Sequence, residues 1–263
     1  MNLVQWLISI IAITLVMGSA ISNRTYSTGP KIIGGSPIKI HEMPYLFGLY
    51  SGRTFQCGGV ILSPIWAMSA YHCVDFDDEP LKTHNIRVGS SLALPVTPRY
   101  GIRKIYYYSS KMVPNENVPL HDIVLFRLRR PIRFTHNVRP AKLPKENGPP
   151  PNVLRVAGWG STERTAPGDY HPGSFSLSAV NVSRVEDEEC AALKVYGGLI
   201  NKEWHLCYGD NKTDACYGDS GGPLGDSSTV YGIVSFGHGC AYYPGVYAKV
   251  SYYMRWIKHV TKL

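Results

Sequence analysis

No stretch of this 263-residue sequence is apolar for long enough to cross a bilayer as a helix. The longest run, Trp6 to Met17, is broken only by Ser9 and Thr14, and a span needs about 20 residues. Internal repeats, heptads and low-complexity segments are absent, so solenoids and coiled coils are not expected. No two of the six cysteines form a C-x-x-C pair, which speaks against a zinc site. Charge is sparse at 17% of residues and uneven, with 27 Lys or Arg against 19 Asp or Glu and a net charge of +8.

What is present points to turns and strands. Eighteen Tyr, 26 Gly and 19 Pro lie among many short Val/Ile runs, the composition of an all-β chain. The apolar start suits a secretory h-region, with Gly18 and Ala20 at the small positions that a signal peptidase needs. Cleavage is expected after Ala20, with Ser22 the alternative, giving a signal peptide over 1–20. No Lys or Arg precedes the apolar run, so an uncleaved anchor is the rival reading. Export makes the six cysteines candidates for three disulfides, with 15 connectivities open. Pairing neighbours would give Cys57–Cys73, Cys190–Cys207 and Cys216–Cys240. Asn23, Asn181 and Asn211 head glycosylation sequons.

The segment "DACYGDSGGP" (214–223) sets Ser220 among Gly218, Gly221 and Gly222. Glycines let backbone N–H groups approach a ligand, so such a serine is a candidate nucleophile beside an oxyanion site. On its own the same segment reads equally as a polar turn. A serine nucleophile needs a base, and the base an orienting acceptor. His72 ends the apolar run "WAMSAYHC", and Asp122 opens "HDIVLFRL" at the mouth of a strand-like run. Singly, each has a structural reading as good as the catalytic one.

Together these segments resemble the trypsin- and chymotrypsin-like serine proteases from Lys31 to the C-terminus. "KIIGG" (31–35), "SAYHC" (69–73), "DIVLFRL" (122–128), "VAGWGST" (156–162), "GDSGGP" (218–223), "GIVSFG" (232–237) and "PGVYAKV" (244–250) fall in family order. The resemblance implies two six-stranded antiparallel β-barrels around a catalytic cleft, with a C-terminal helix. It implies a triad of His72, Asp122 and Ser220, an oxyanion hole at Gly218 and Ser220, and the three neighbour-paired disulfides. It also implies a pro-segment over 21–31 and a protease domain over 32–263. Cutting after Lys31 would free the Ile32 amine to pair with Asp219.

The resemblance assigns the substrate pocket to Asp214, Ser235, Phe236, Gly237 and Gly245. An acid at the base with glycine walls implies cleavage after Arg or Lys. Several positions depart from the common pattern. Ala215 replaces a frequent serine beside the pocket acid, which favours Arg over Lys. Phe236 stands for Trp, Tyr71 for a small residue, and "CAYYPG" (240–245) is short. Gly225-Asp226 has no explanation at this level. No Asp or Glu lies between Gly89 and Lys104, so the family's calcium loop is not expected, and neither is any metal or other cofactor.

The resemblance puts the boundary between the barrels near 140–152, in the Pro-rich "RPAKLPKENGPPPN". Tyr253, Trp256, Ile257 and Val260 follow i, i+3, i+4, i+7, marking an amphipathic helix expected to dock on its own chain. The basic run "RLRRPIRF" (127–134) reads as the solvated face of a strand, or as a surface for heparin-like anions. Residues 1–31 carry only Arg24 and Lys31, leaving +6 after processing. The implied protein is a secreted zymogen, cutting after Arg by preference or Lys. Its implied partners are protein or peptide substrates with exposed Arg or Lys, an activating trypsin-like protease and protein inhibitors, with no nucleic acid, no membrane and a monomeric state. The alternative is a secreted binding protein on a protease scaffold, separable by fluorophosphonate labelling because only an activated serine reacts.

Overall fold

A computed structural model describes residues 32–74, 80–94, 97–113, 118–161, 163, 166–170 and 173–263. The expected signal peptide and pro-segment, with Lys31 and the Asn23 sequon, lie outside the described residues.

Six strands close the first barrel: β2 (Leu46–Ser51), β3 (Thr54–Ile61), β4 (Trp66–Ser69), β5 (His84–Val88), β6 (Arg99–Tyr107) and β7 (Val124–Leu128). Their order around the ring is β2-β3-β4-β7-β6-β5. Phe47, Leu49, Ile86, Ile102 and Phe126 are fully buried and share one face of the barrel wall by register, so these β-branched, aromatic and long apolar side chains fill the barrel rather than line a pore.

The second ring follows the order β9-β10-β13-β12-β11-β8 and closes where β8 pairs with β9. It comprises β8 (Val153–Gly158), β9 (Ser178–Val185), β10 (His205–Tyr208), β11 (Pro223–Gly225), β12 (Val230–Phe236) and β13 (Gly245–Lys249). The short β1 (Ser36–Pro37) adds to β9. These are the two six-stranded antiparallel barrels expected from the sequence, joined through the Pro-rich stretch between β7 and β8.

Gly225-Asp226 now has a reason. The β11–β12 register shifts at Gly225, and Asp226 closes the hairpin, its Oδ1 accepting from the amides of Ser228 and Thr229 at 2.7 and 2.8 Å. The Tyr45 hydroxyl donates to the Asp226 carbonyl at 2.6 Å, tying this turn to the first barrel. The bulge glycine and the Asp together make a tight turn between β11 and β12.

Among the described residues the α-helices are α1 (Pro80–Thr83), α2 (Asp187–Ala191) and α3 (Val250–Thr261). Helix α3 leaves the second barrel and packs across to the first. Its Tyr253, Met254 and Ile257 are buried, each contributing about 1.5–3 kcal/mol for full burial. The Tyr108 ring meets Tyr253 and Trp256 edge-on at 4.9 and 5.4 Å. Cys57–Cys73, Cys190–Cys207 and Cys216–Cys240 are bonded, so neighbour pairing is the connectivity adopted.

Candidate active site

Strand β4 runs directly into a 3-10 turn, Tyr71–Cys73, and the Cys57–Cys73 bond ties that turn to β3. The turn carries His72. Its Nδ1 faces Asp122 Oδ2 at 2.7 Å, and its backbone N–H donates to Asp122 Oδ1 at 2.9 Å. Asp122, just ahead of β7, is 2% exposed. Burial alone would raise its pKa, but the His72 charge and the hydrogen bonds of His72 and Ser235 outweigh it and hold the carboxyl below its usual range. For His72 burial lowers the pKa, and Asp122 more than reverses this. With Nδ1 held by the carboxylate, Nε2 is the atom left to take a proton.

Ser220 comes from the second barrel's loop between β10 and β11. Its carbonyl accepts from Gly58 N on β3 at 2.7 Å. Gly221 packs so tightly that a Cβ there would lie 2.3 Å from Ser69 Oγ and 3.2 Å from Ala70 N, immediately before the His72 turn. This close approach brings the serine loop against the histidine turn. The amides of Asp219, Gly221 and Gly222 bond to Cys216, Val234 and Asp219 carbonyls. Among the described residues those of Gly218 and Ser220 have no acceptor, and Gly218 has φ +97°, open mainly to glycine. No hydrogen bond joins Ser220 Oγ to His72 among the described residues; such contacts often tighten only on a bound substrate.

Below Ser220 opens a cavity of 230 Å³, lined by Asp214, Ala215, Tyr217, Phe236, Gly237 and Gly245 among others. Asp214 is 2% exposed. Its Oδ2 accepts from Ala241 N at 3.0 Å, while Oδ1 is buried without a partner, as is the Tyr247 hydroxyl. A Cβ on Gly245 would stand 2.7 Å from that Oδ1 and 3.3 Å from that hydroxyl. Glycine therefore keeps both groups uncovered. Burial pushes the Asp214 pKa well up.

Ser235, assigned from the sequence to the pocket wall, lines the cavity and also donates its hydroxyl to Asp122 Oδ2 at 2.5 Å. Nothing in the sequence marked that second role. Asp219 is fully buried and accepts from Gly160 N and Cys216 N at 2.8 and 2.9 Å. Any Cβ on Gly158 or Gly160 would strike its carboxylate at 2.2–2.4 Å, so the "GWG" motif leaves room for this acid. Burial pushes its pKa up to about 7. Ile32 is 1% exposed and packs with Val156, Val180 and Tyr208. Its φ of +92° is an outlier for a β-branched residue. Asn181 and Asn211 are both exposed.

The trypsin family profile, described as "Trypsin", matches residues 32–257. Trypsin 5G1 of Aedes aegypti is 32% identical over 247 residues, covering 92% of this chain and 88% of that protein. Beta-fibrinogenase brevinase of Gloydius blomhoffii is 37% identical over 238 residues, covering 87% and 95%. Among solved structures, neuropsin, a serine protease expressed in the limbic system of mouse brain, superposes with a TM-score of 0.75 at 26% identity, covering 86% of this chain and 98% of that one. A profile match across both barrels, with the His72–Asp122 pair and Ser220 at their junction, means that the chain belongs to the trypsin family of serine proteases.

Proposed function

We propose that the protein is a secreted serine endopeptidase, made as a zymogen, that cuts after Arg by preference or Lys. One observation carries the catalytic reading: the imidazole held at 2.7 Å by a buried carboxylate stands beside a serine whose own amide and that of Gly218 have no acceptor among the described residues. Ser220 Oγ attacks the scissile carbonyl while His72 Nε2 takes its proton. The oxygen's developing charge meets the Gly218 and Ser220 N–H groups. The proton then passes to the leaving amine, and water repeats the cycle on the acyl-enzyme. Asp122 keeps the imidazole's tautomer and offsets its charge. Activity should rise with pH through the His72 pKa, which lies above its usual 6.5. A fluorophosphonate probe that failed to label Ser220 in the processed chain would reject this reading.

The unpartnered Asp214 Oδ1 supports a basic substrate side chain, since a guanidinium fork can satisfy that oxygen and the Tyr247 hydroxyl. A lysine ammonium is shorter and leans on water and a neighbouring hydroxyl, which Ala215 does not supply. One hydrogen bond to a charged group is worth roughly 1.5–3 kcal/mol. With water recovering part of it, Arg should exceed Lys by on the order of tenfold in kcat/KM. Ala215→Ser should narrow the gap by improving Lys. Matched peptides differing only in that residue test this, and equal rates for the two would remove the role given to Ala215.

The zymogen reading rests on Ile32 and Asp219. In the uncut chain the observed arrangement holds a buried acid without a cation among the described residues and a residue at φ +92°. Strain of that kind costs about 1–3 kcal/mol, and a buried unpaired charge about 3–5. Because φ depends on the bond to Lys31, cutting removes the strain and supplies an ammonium. Lys31→Gln should therefore stay uncut under trypsin and retain less than about 1% of processed activity.

The pH dependences should differ in sign. Asp219 is raised from 3.8 to about 7, so the folded precursor holds a proton that the unfolded chain has lost, and its stability falls as pH rises from about 4 to 7. In the processed enzyme the paired Ile32 amine has a raised pKa, so its contribution persists through neutral pH and disappears under alkaline conditions. Full activity of the Lys31→Gln chain, or identical pH–stability curves for the two forms, would contradict the pairing.

A further inference from the structure

A second cavity, of 620 Å³, opens on the first barrel between α1 and the strands β5 and β6. Lys82, Arg99, Arg129 and Arg130 line it, and no acid does among the described residues. Residues 97–145 hold eleven Lys or Arg against two acids, Glu116 and the buried Asp122. We propose that this basic cavity is a docking site for a sulfated polysaccharide.

Of the cavity's arginines, Arg130 is the one held most firmly. Arg130 lies over the Tyr100 ring at 4.7 Å and donates to the Arg99 carbonyl at 2.8 Å. Arg129 crosses β6 at Gly101, where a Cβ would come within 3.1 Å of its Cδ, and its backbone N–H donates to the Gly101 carbonyl. A guanidinium fixed by one contact still presents its remaining N–H donors, with less rotamer entropy left to lose on binding. Arg103 is exposed further along β6, at the register shift between Ile102 and Lys104. Several guanidinium forks on one face, with Arg130 held over Tyr100, suit a polymer with repeated sulfate and carboxylate groups.

Two other polyanions fit less well. Single-stranded nucleic acid binds through bases stacked on exposed rings, whereas Tyr100 is buried beneath Arg130 and His84 is buried too. An acidic peptide segment would bring apolar anchors needing a pocket, and among the described residues Leu81 is the only large apolar side chain lining this one. Arg129 and Arg130 leave β7 at the end away from Asp122, about 20 Å along the chain. Occupancy should therefore leave hydrolysis of small peptides unchanged.

The test is titration of the purified full chain with fluorescent heparin at low salt, compared with desulfated heparin, a single-stranded oligodeoxynucleotide and polyglutamate. Arg129→Ala/Arg130→Ala should weaken heparin binding by at least about tenfold and flatten its salt dependence. The processed double variant should keep its kcat/KM on a small peptide within about twofold of wild type, showing an intact fold. Lys258→Ala/Lys262→Ala on and just after α3 removes the same charge elsewhere and should change heparin affinity little. Equal losses in the two variants would reduce the effect to net charge and overturn the site. Equal or tighter binding of the oligonucleotide or polyglutamate would overturn the polysaccharide assignment. Absence of heparin binding would overturn it too.

Discussion

Ser220→Ala is expected to lower kcat/KM on Arg-containing peptides by about 10⁴- to 10⁶-fold, the scale seen when a triad serine is removed elsewhere. Its melting temperature should stay within about 2 °C of wild type. The two outcomes have separate causes. Among the described residues Ser220 Oγ makes no hydrogen bond in the free protein, whereas the loop is pinned by its backbone, through Gly58 N to the Ser220 carbonyl and Gly221 N to the Val234 carbonyl. Removing the hydroxyl deletes the nucleophile and leaves that frame alone. Residual catalysis should come from the Gly218 and Ser220 amides and from binding. Assays of the processed variant beside calorimetry decide the matter, and a tenth of wild-type activity remaining would dismiss Ser220 as the nucleophile.

Asp214→Ser should act in two opposite directions. Removing one partner of a buried charge pair costs about 3–5 kcal/mol, so kcat/KM for Arg substrates should fall by about a hundred- to several-thousandfold. The free enzyme should become more stable. Its carboxylate is buried with Oδ1 unpartnered, and burial raises its pKa well above the usual value. The folded chain therefore keeps a proton that the unfolded chain gives up, and wild-type stability declines as pH climbs from the ordinary aspartate range towards the raised folded pKa. The variant lacks that decline and should melt higher at neutral pH. Activity on Arg peptides and melting curves across pH provide the check. A variant that lost stability while keeping Arg cleavage would invert the role given to Asp214.

Much of the fold and of the site's layout is legible in the sequence, because the residues concerned crowd into short segments. "GDSGGP" holds the serine, its amides and the buried acid within six residues, and "SAYHC" ties the base to a disulfide. The α3 pattern was plain because one apolar face repeats every turn, and Tyr253 and Ile257 are buried as that spacing requires. What escaped was long-range. Ser235 lies 113 residues from Asp122, and no local pattern marks a hydroxyl for that bond. Gly158 and Gly160 were visible as a motif, but their purpose depends on where Asp219 folds, 59 residues from Gly160. Gly225-Asp226 looked anomalous until its hairpin closed. Local chemistry can be read along the chain, whereas a partner supplied by a distant turn cannot.

The contacts between the barrels run in both directions. Ser235, on the second, bonds the aspartate of the first, and Gly58 N, on the first, bonds the carbonyl of the serine carried by the second. Each half thus keeps part of the other's equipment, and neither is a module that could be lifted out with its share of the chemistry. Duplication of one barrel, exchange with a relative or release of a proteolytic half would give a piece that still has a core and no longer has a site. Divergence in this chain must then proceed through its loops and outer faces, with the seam passed on as a single unit.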